Sequence, residues 1–194
     1  MLQVIGFDGV DTRITRQRRI PLTICGESRV AAPDVCLMSS SNILLVIQEV
    51  KTTANRSDPE PQLIAEAIVA YQHNNRRRED LGLPPLNAMT LPCIAMIRTS
   101  PVFYLVRVTR YLSRYVSLGE FPQRRTIVSK FSPATANGGM VNPLGRRTSL
   151  AYYDRFRHLA DTHWSTLSFA GTIKSENRCC WFWLCLVIVF RIRP

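Results

Sequence analysis

The chain has 194 residues, 46% hydrophobic and 20% charged, which suits one domain with a proper core and excludes an intrinsically disordered tail. Lys and Arg number 25 against 14 Asp and Glu, giving a net charge of +11 and an isoelectric point near 10.0. That balance points to a polyanionic partner, either nucleic acid or an anionic membrane surface, although basic proteins commonly hold nucleic acid by non-specific attraction alone.

Residues 1–20 are mixed and turn basic at Arg13, Arg16, Arg18 and Arg19. The first ten residues contain no secretory signal, so a reducing intracellular compartment, nucleus or cytoplasm, is the expectation. Six cysteines, at 25, 36, 93, 179, 180 and 185, form no Cys-x-x-Cys pair, and the histidines at 73, 158 and 163 do not cluster with them at zinc-ligand spacing. Cys25, Cys36 and Cys93 lie in apolar segments and read as small core residues. Ile20 to Cys25 reads as a short strand leading into a hairpin.

The hairpin itself spans residues 33–51. Val35-Cys36-Leu37-Met38 and Ile43-Leu44-Leu45-Val46-Ile47 flank a Ser-Ser-Ser-Asn turn cluster. A symmetric turn sets Met38 opposite Ile43 and Asp34 opposite Ile47. The period of two then brings Asp34, Glu49 and Lys51 to one face, with Asp34 diagonal to Glu49 at about 7–8 Å. Two carboxylates at that spacing can converge on one cation. A one-residue change in the loop moves Asp34 to the other face, so the inference depends on register. The second strand is apolar on both faces, which marks a central strand covered on both sides. Charges that close such a strand either emerge into solvent or form a site.

A helix starts after a polar loop, with Asp58 as N-cap, Pro59 at the first helical position and Glu60 facing the helix dipole. Leu63, Ile64, Ala67, Ile68 and Tyr71 form its apolar stripe, and Gln62, Glu66 and Val69 lie on an adjacent face. Arg76-Arg77-Arg78 closes it before the Gly82 and Pro84-Pro85 break, as a phosphate contact or simply as helix-stabilising charge. Residues 93–97 and 102–108 read as a second hairpin. A helix over 109–118 follows, stopped by Gly119, with Arg110 and Arg114 on one face.

Beyond residue 128 the character shifts, so the division expected is a domain over 1–128 and an appended region over 129–194. Residues 132–148 read as a flexible linker and 149–164 as a short helix. Residues 179–190, opening on Cys179 and closing on Phe190, are twelve unbroken apolar residues between Arg178 and Arg191. A spanning helix needs about 20, so this tail is too short to cross a bilayer alone. A buried strand and a membrane contact are the readings it leaves open.

Pro33-Asp34, fourteen intervening residues, and then Glu49-Val50-Lys51 resemble the signature of the PD-(D/E)XK nuclease superfamily. Residues 7–128 also resemble a family of uncharacterised fungal proteins assigned to that fold. The resemblance is carried by Ile24-Cys25-Gly26-Glu27, Pro33-Asp34-Val35-Cys36-Leu37, Gln48-Glu49-Val50-Lys51, Gln62-Leu63-Ile64-Ala65-Glu66-Ala67 and Pro101-Val102-Phe103-Tyr104. That family reads Glu-Asp-Lys where this chain has Val50 in the middle position. The resemblance implies an α/β fold with a restriction-endonuclease-like core, a mixed central β-sheet flanked by helices. It implies Asp34 and Glu49 as ligands of Mg²⁺ or Mn²⁺, and Lys51 as a positive charge near the attacking water and the developing phosphorane. Some nucleases of this class send a glutamine from the following helix towards the scissile phosphate, which makes Gln62 a catalytic candidate and Glu66 a secondary one. Ordinary exposed helix residues are the plainer reading of both. Glu27 is the nearest match to an upstream acid that assists the metal, and a solvated loop carboxylate is the plainer reading there too. The function implied is metal-dependent phosphodiester hydrolysis of nucleic acid. The alternative is a catalytically inactive domain of the same fold that binds nucleic acid or protein. No phosphate-cradling glycine loop and no serine or cysteine triad competes.

Overall fold

The computed structural model describes residues 6–7, 11–40, 42–50, 58–133, 139–164 and 186–190, with residues 48–50 and 186–190 described by their backbone. The central strand anticipated from its two apolar faces is β5, Asn42–Val50. Ile43, Leu44, Leu45, Val46 and Ile47 are all buried. β5 pairs antiparallel with β4 (Val35–Ser39) on one side and parallel with β6 (Ala88–Ile97) on the other. A parallel pair needs a crossover, and α1 (Glu60–Asp80) supplies it. β7 (Ser100–Thr109), β8 (Thr126–Phe131) and β9 (Leu186–Phe190) extend the sheet by antiparallel pairing, and β1 (Thr12–Arg16) adds to β4 at the far edge. The order β1-β4-β5-β6-β7-β8-β9 is a mixed seven-stranded sheet, so the chain has an α/β fold with a mixed central sheet flanked by helices.

The helices lie on opposite faces. Tyr104 contacts Glu60 of α1, whereas its neighbour Phe103 stacks against Tyr153 and Phe156 of α3 (Pro143–Trp164), at centroid distances of 5.1 and 4.9 Å. Alternation along β7 sends these two residues to opposite sides. The boundary drawn at residue 128 therefore falls inside β8, and Tyr153 and Phe156 beyond it are buried in the same core as β7.

Local signals explain most boundaries. Asp58 Oδ1 accepts from the Glu60 N–H at 3.1 Å, so the acid anticipated as N-cap does hold a first-turn donor, although the helix starts one residue later than Pro59. Gly82 adopts φ +71°, which lets the Leu83 N–H reach back to the Arg78 carbonyl at 2.8 Å. α2 (Arg110–Leu118) runs between Thr109, whose hydroxyl accepts from Leu112 N–H, and left-handed Gly119. That helix lies where the sequence sets it, and the second hairpin forms with longer strands than expected, β6 starting at Ala88 rather than Cys93.

Three expectations change. Ile20–Ile24 (β2) does not enter the central hairpin but pairs with Glu27–Ala31 (β3) as a separate two-stranded sheet. α3 begins at Pro143, inside the segment read as linker, because Asn142 Oδ1 accepts from Leu144 N–H and proline suits the first turn. Gly145 is tolerated there for a reason of packing: a Cβ at that position would collide with the Gly139 carbonyl oxygen. The third change concerns register. Met38 does stand opposite Ile43, but the next pairs are Leu37 with Leu45, Cys36 with Val46 and Val35 with Ile47. Leu44 is thus an extra residue, a β-bulge, and Val35 rather than Asp34 faces Ile47 across the ladder.

The bulge is fastened from outside the sheet. Buried Asn74 of α1 accepts from the Ile43 N–H at 2.7 Å and donates to the Ile43 carbonyl at 2.8 Å. One amide side chain thereby satisfies both main-chain groups of the residue beside the bulge. Among the described residues, no helix is long and apolar enough to cross a membrane.

Candidate functional site

The bulge decides where Asp34 goes. Asp34 is half-buried just before β4, and its carbonyl accepts from Gln17 N–H at 3.0 Å, which ties it to the end of β1. Its electrostatic neighbour on α1 is Glu66. In the ladder the Glu49 backbone is paired with Met96 of β6. The bulge removes the symmetric pairing from which a common face for Asp34 and Glu49 was expected, since Val35 and not Asp34 stands opposite Ile47. The side chain of Glu49 and the whole of Lys51 lie outside the described residues.

On α1 the structure joins Gln62 to Glu66, whose carboxyl also feels the charge of Asp34. Gln62 Nε2 donates to Glu66 Oε1 at 3.2 Å, the one-turn spacing that joins i and i+4 on a helix. Glu66 is only 5% exposed, and its Oε2 has no hydrogen-bond partner among the described residues. Burial pushes its carboxyl up to about 7; the Gln62 hydrogen bond opposes the rise and the charge of Asp34 adds to it. The same carboxyl acts on the thiols beneath it. Cys36 is pushed up to about 12 by burial first and Glu66 second, with Arg18 acting the other way. Cys93 is raised by burial and by Glu66 as well. Cys36 and Cys93 are free and buried, as small core residues should be, whereas Cys25, read with them, is exposed in the turn between β2 and β3.

One helical turn and a half earlier on α1, Glu60 is buried and forms an ion pair with Lys130 of β8. Tyr104 donates to the same Glu60 oxygen at 3.3 Å, and the Lys130 ammonium lies 5.6 Å from the Tyr104 ring centroid. Burial, and next the charge of Glu60, raise the Tyr104 phenol. A charge at a helix start that looked like dipole complementation is thus one end of a buried pair that links the first turn of α1 to β8. The sequence distance between Glu60 and Lys130, 70 residues, hides it from local reading.

Glu66 is the residue that sequence reasoning undervalued. As an ordinary helix residue it would be exposed, yet it lies one position from the Leu63–Ala67 stripe and is covered by the sheet. Glu27 does not join this group: it is exposed on β3 and pairs with Arg29. Among the described residues, no set of three or more His, Cys, Asp and Glu side chains is grouped to hold a metal ion. The pair Asp34 and Glu66 offers oxygen donors only, which suits a hard divalent cation that keeps most of its waters. Comparison with protein-family models, with curated proteins and with solved structures finds no match for this chain.

Proposed function

We propose that the chain is a nuclease-like protein with a restriction-endonuclease-like core that hydrolyses phosphodiesters of nucleic acid with a divalent metal, Mg²⁺ or Mn²⁺. The observation that carries this reading is the buried Glu66 oxygen without a hydrogen-bond partner among the described residues, on a carboxyl that feels the charge of Asp34, the residue before β4. A buried carboxylate oxygen left unpaired is costly, and a cation held jointly with Asp34 relieves both the orphaned atom and the like-charge repulsion. Asp34 and Glu66 would hold the metal. When bound, it would polarise the phosphodiester and lower the pKa of a coordinated water.

The remaining roles belong to the protein. Gln62, exposed on the first turns of α1 and already bonded to Glu66, can position a phosphate oxygen or a water through its amide. Glu49 and Lys51 enter from the superfamily resemblance, Glu49 as a further oxygen ligand and Lys51 as the charge near the attacking water. A second reading, a catalytically inactive nucleic-acid-binding domain, is favoured by the surplus of basic side chains.

Cleavage of labelled single- and double-stranded DNA and RNA separates the two. With Mn²⁺ the parent is expected to cleave, and chelation to stop it. Lys51→Ala should retain metal binding and lose at least a hundredfold in cleavage rate, since its effect would lie in the transition state. Tight nucleic-acid binding without cleavage under any divalent ion would leave the inactive domain as the function.

A further inference from the structure

Ten residues along α1 from Glu66, the helix lines a second, separate feature. A cleft of about 290 Å³ opens between α1, α2 and β2. Arg76 projects into it from α1, and Arg110 and Arg114, one turn apart, from α2. All three are exposed, and none makes a side-chain hydrogen bond or ion pair among the described residues. The only acid in the lining is Glu79.

The neighbouring arginines of the same run behave differently. Arg77 pairs with Asp80 at 3.5 Å, and Arg78 Nε donates to the Pro84 carbonyl at 2.8 Å. The basic triplet is therefore divided: two arginines secure the end of α1 and one faces the cleft. The amide side chains of the lining are also committed. Gln72 bridges the Thr23 main chain through its N–H at 2.9 Å and its carbonyl at 3.1 Å, and Asn75 accepts from Leu86 N–H at 2.8 Å. These bonds brace the walls and leave the three guanidinium groups as the charged donors of the cleft without partners among the described residues.

Three converging cations with one acid, left unpaired on a rigid two-helix frame, repel each other unless an anion joins them. Guanidinium forks bind the oxygens of carboxylate and phosphate bidentately, and three of them together suit the larger, multiply oxygenated phosphate group. We propose that this cleft is a phosphate-binding site, and that the phosphate it takes is one in the backbone of a nucleic-acid strand. The strand's identity rests on the function proposed above; the phosphate chemistry stands on the three arginines. Ten residues of α-helix span roughly 15 Å, about four base steps of a duplex at 3.4 Å each, so the cleft would anchor a strand some steps away from the Asp34–Glu66 site.

The test is run in EDTA, so that metal binding and cleavage play no part. Fluorescence anisotropy with a labelled 20-nucleotide single strand and its duplex is compared for the parent, Arg76→Gln/Arg110→Gln/Arg114→Gln, and a control triple of equal charge loss, Arg13→Gln/Arg107→Gln/Arg147→Gln, whose three residues are also exposed. The cleft triple should bind at least tenfold more weakly and flatten the plot of log affinity against log salt by about 2, near 0.7–0.9 for each phosphate contact. The control triple should change affinity less than threefold. Arg76→Lys/Arg110→Lys/Arg114→Lys keeps the charge and the surface, and should recover only part of the loss because the fork is gone. NMR titration of the parent with inorganic phosphate should shift the Arg110 and Arg114 side-chain signals first. Equal losses in the two glutamine triples, or full recovery by lysine, would overturn the site in favour of diffuse attraction. Binding to vesicles containing phosphatidylserine with none to either oligonucleotide would overturn the nucleic-acid assignment. Parent-like binding by the cleft triple would overturn the anchor and leave the proposed function, which Mn²⁺-dependent cleavage tests separately, untouched.

Discussion

In EDTA, stability of the parent is expected to fall as pH rises from about 4.5 to about 7, and Glu66→Gln is expected to remove that part of the slope. The cause is the raised carboxyl of Glu66, held up to about 7 by burial, with the Gln62 hydrogen bond opposing and Asp34 reinforcing the rise. Below its ordinary value the group is protonated in both the folded and the unfolded chain, and its full contribution is present. Between the two values only the unfolded chain has released the proton, so the folded state loses stability as pH rises. The difference amounts to about 3 kcal/mol at most, at 1.36 kcal/mol for each pH unit. Glutamine has no proton to lose and can still accept from Gln62. Urea unfolding of both proteins between pH 4.5 and pH 8 gives the comparison, and subtraction removes the contribution of other groups. A parent curve parallel to the Glu66→Gln curve would mean that Glu66 ionises normally. Adding Mn²⁺ at pH 8 should then stabilise the parent, by about 2.7 kcal/mol at a hundred times the dissociation constant, and leave Glu66→Gln nearly unchanged.

Asn74→Ala should be the most destabilising of the substitutions considered, costing about 3–5 kcal/mol. It strands the N–H and the carbonyl of Ile43 in a buried place, at about 1–3 kcal/mol each, and leaves a cavity against Met89, whose sulfur lies 3.5 Å from the Asn74 amide nitrogen. Asn74→Leu separates the two causes, since it fills most of the volume and restores neither hydrogen bond. It should recover less than half of the loss in urea unfolding. Near-parent stability in Asn74→Leu would show that packing, and not the hold on Ile43, is what the amide supplies. The substitution should also act on the site. Once the bulge is released, β4 can slip by one residue against β5, and the position of Asp34 relative to Glu66 depends on that register. Metal affinity of the folded variant should therefore fall, although Asn74 is remote from any proposed ligand.

Local chemistry wrote part of this fold plainly. The doubly apolar run 43–47 announces a central strand, Asp58-Pro59 announces a helix, and Thr109 and Gly119 bracket α2 at the positions their capping chemistry demands. What local reading could not reach depends on partners far along the chain. The bulge at Leu44 is held through Ile43 by a side chain 31 residues from it, and no turn residue in Ser-Ser-Ser-Asn betrays it. Glu60 and Lys130 look like two surface charges until β7 and β8 bring them together. Pro143 and Gly145 suggested a linker because both residue types break helices in general. Here one occupies a first turn, and the other makes room for the Gly139 carbonyl. At the site, Gln62, which the resemblance put forward, is hydrogen-bonded to Glu66, and it is Glu66 that burial perturbs. Its signal in the sequence was its place four residues after Gln62, beside an apolar stripe.

Metal binding itself is the most direct test of the central claim. Isothermal titration of Mn²⁺ at pH 8 into the parent, Asp34→Asn, Glu66→Gln, Glu49→Gln and Val50→Ala requires no substrate. The parent should bind one ion, and Asp34→Asn and Glu66→Gln should each weaken that binding at least tenfold while the protein stays folded. Glu49→Gln should also weaken it if the superfamily pattern extends to its side chain, whereas Val50→Ala should spare it. A parent that binds no divalent ion, or binds one with an affinity indifferent to both Asp34→Asn and Glu66→Gln, would contradict the metal-dependent site.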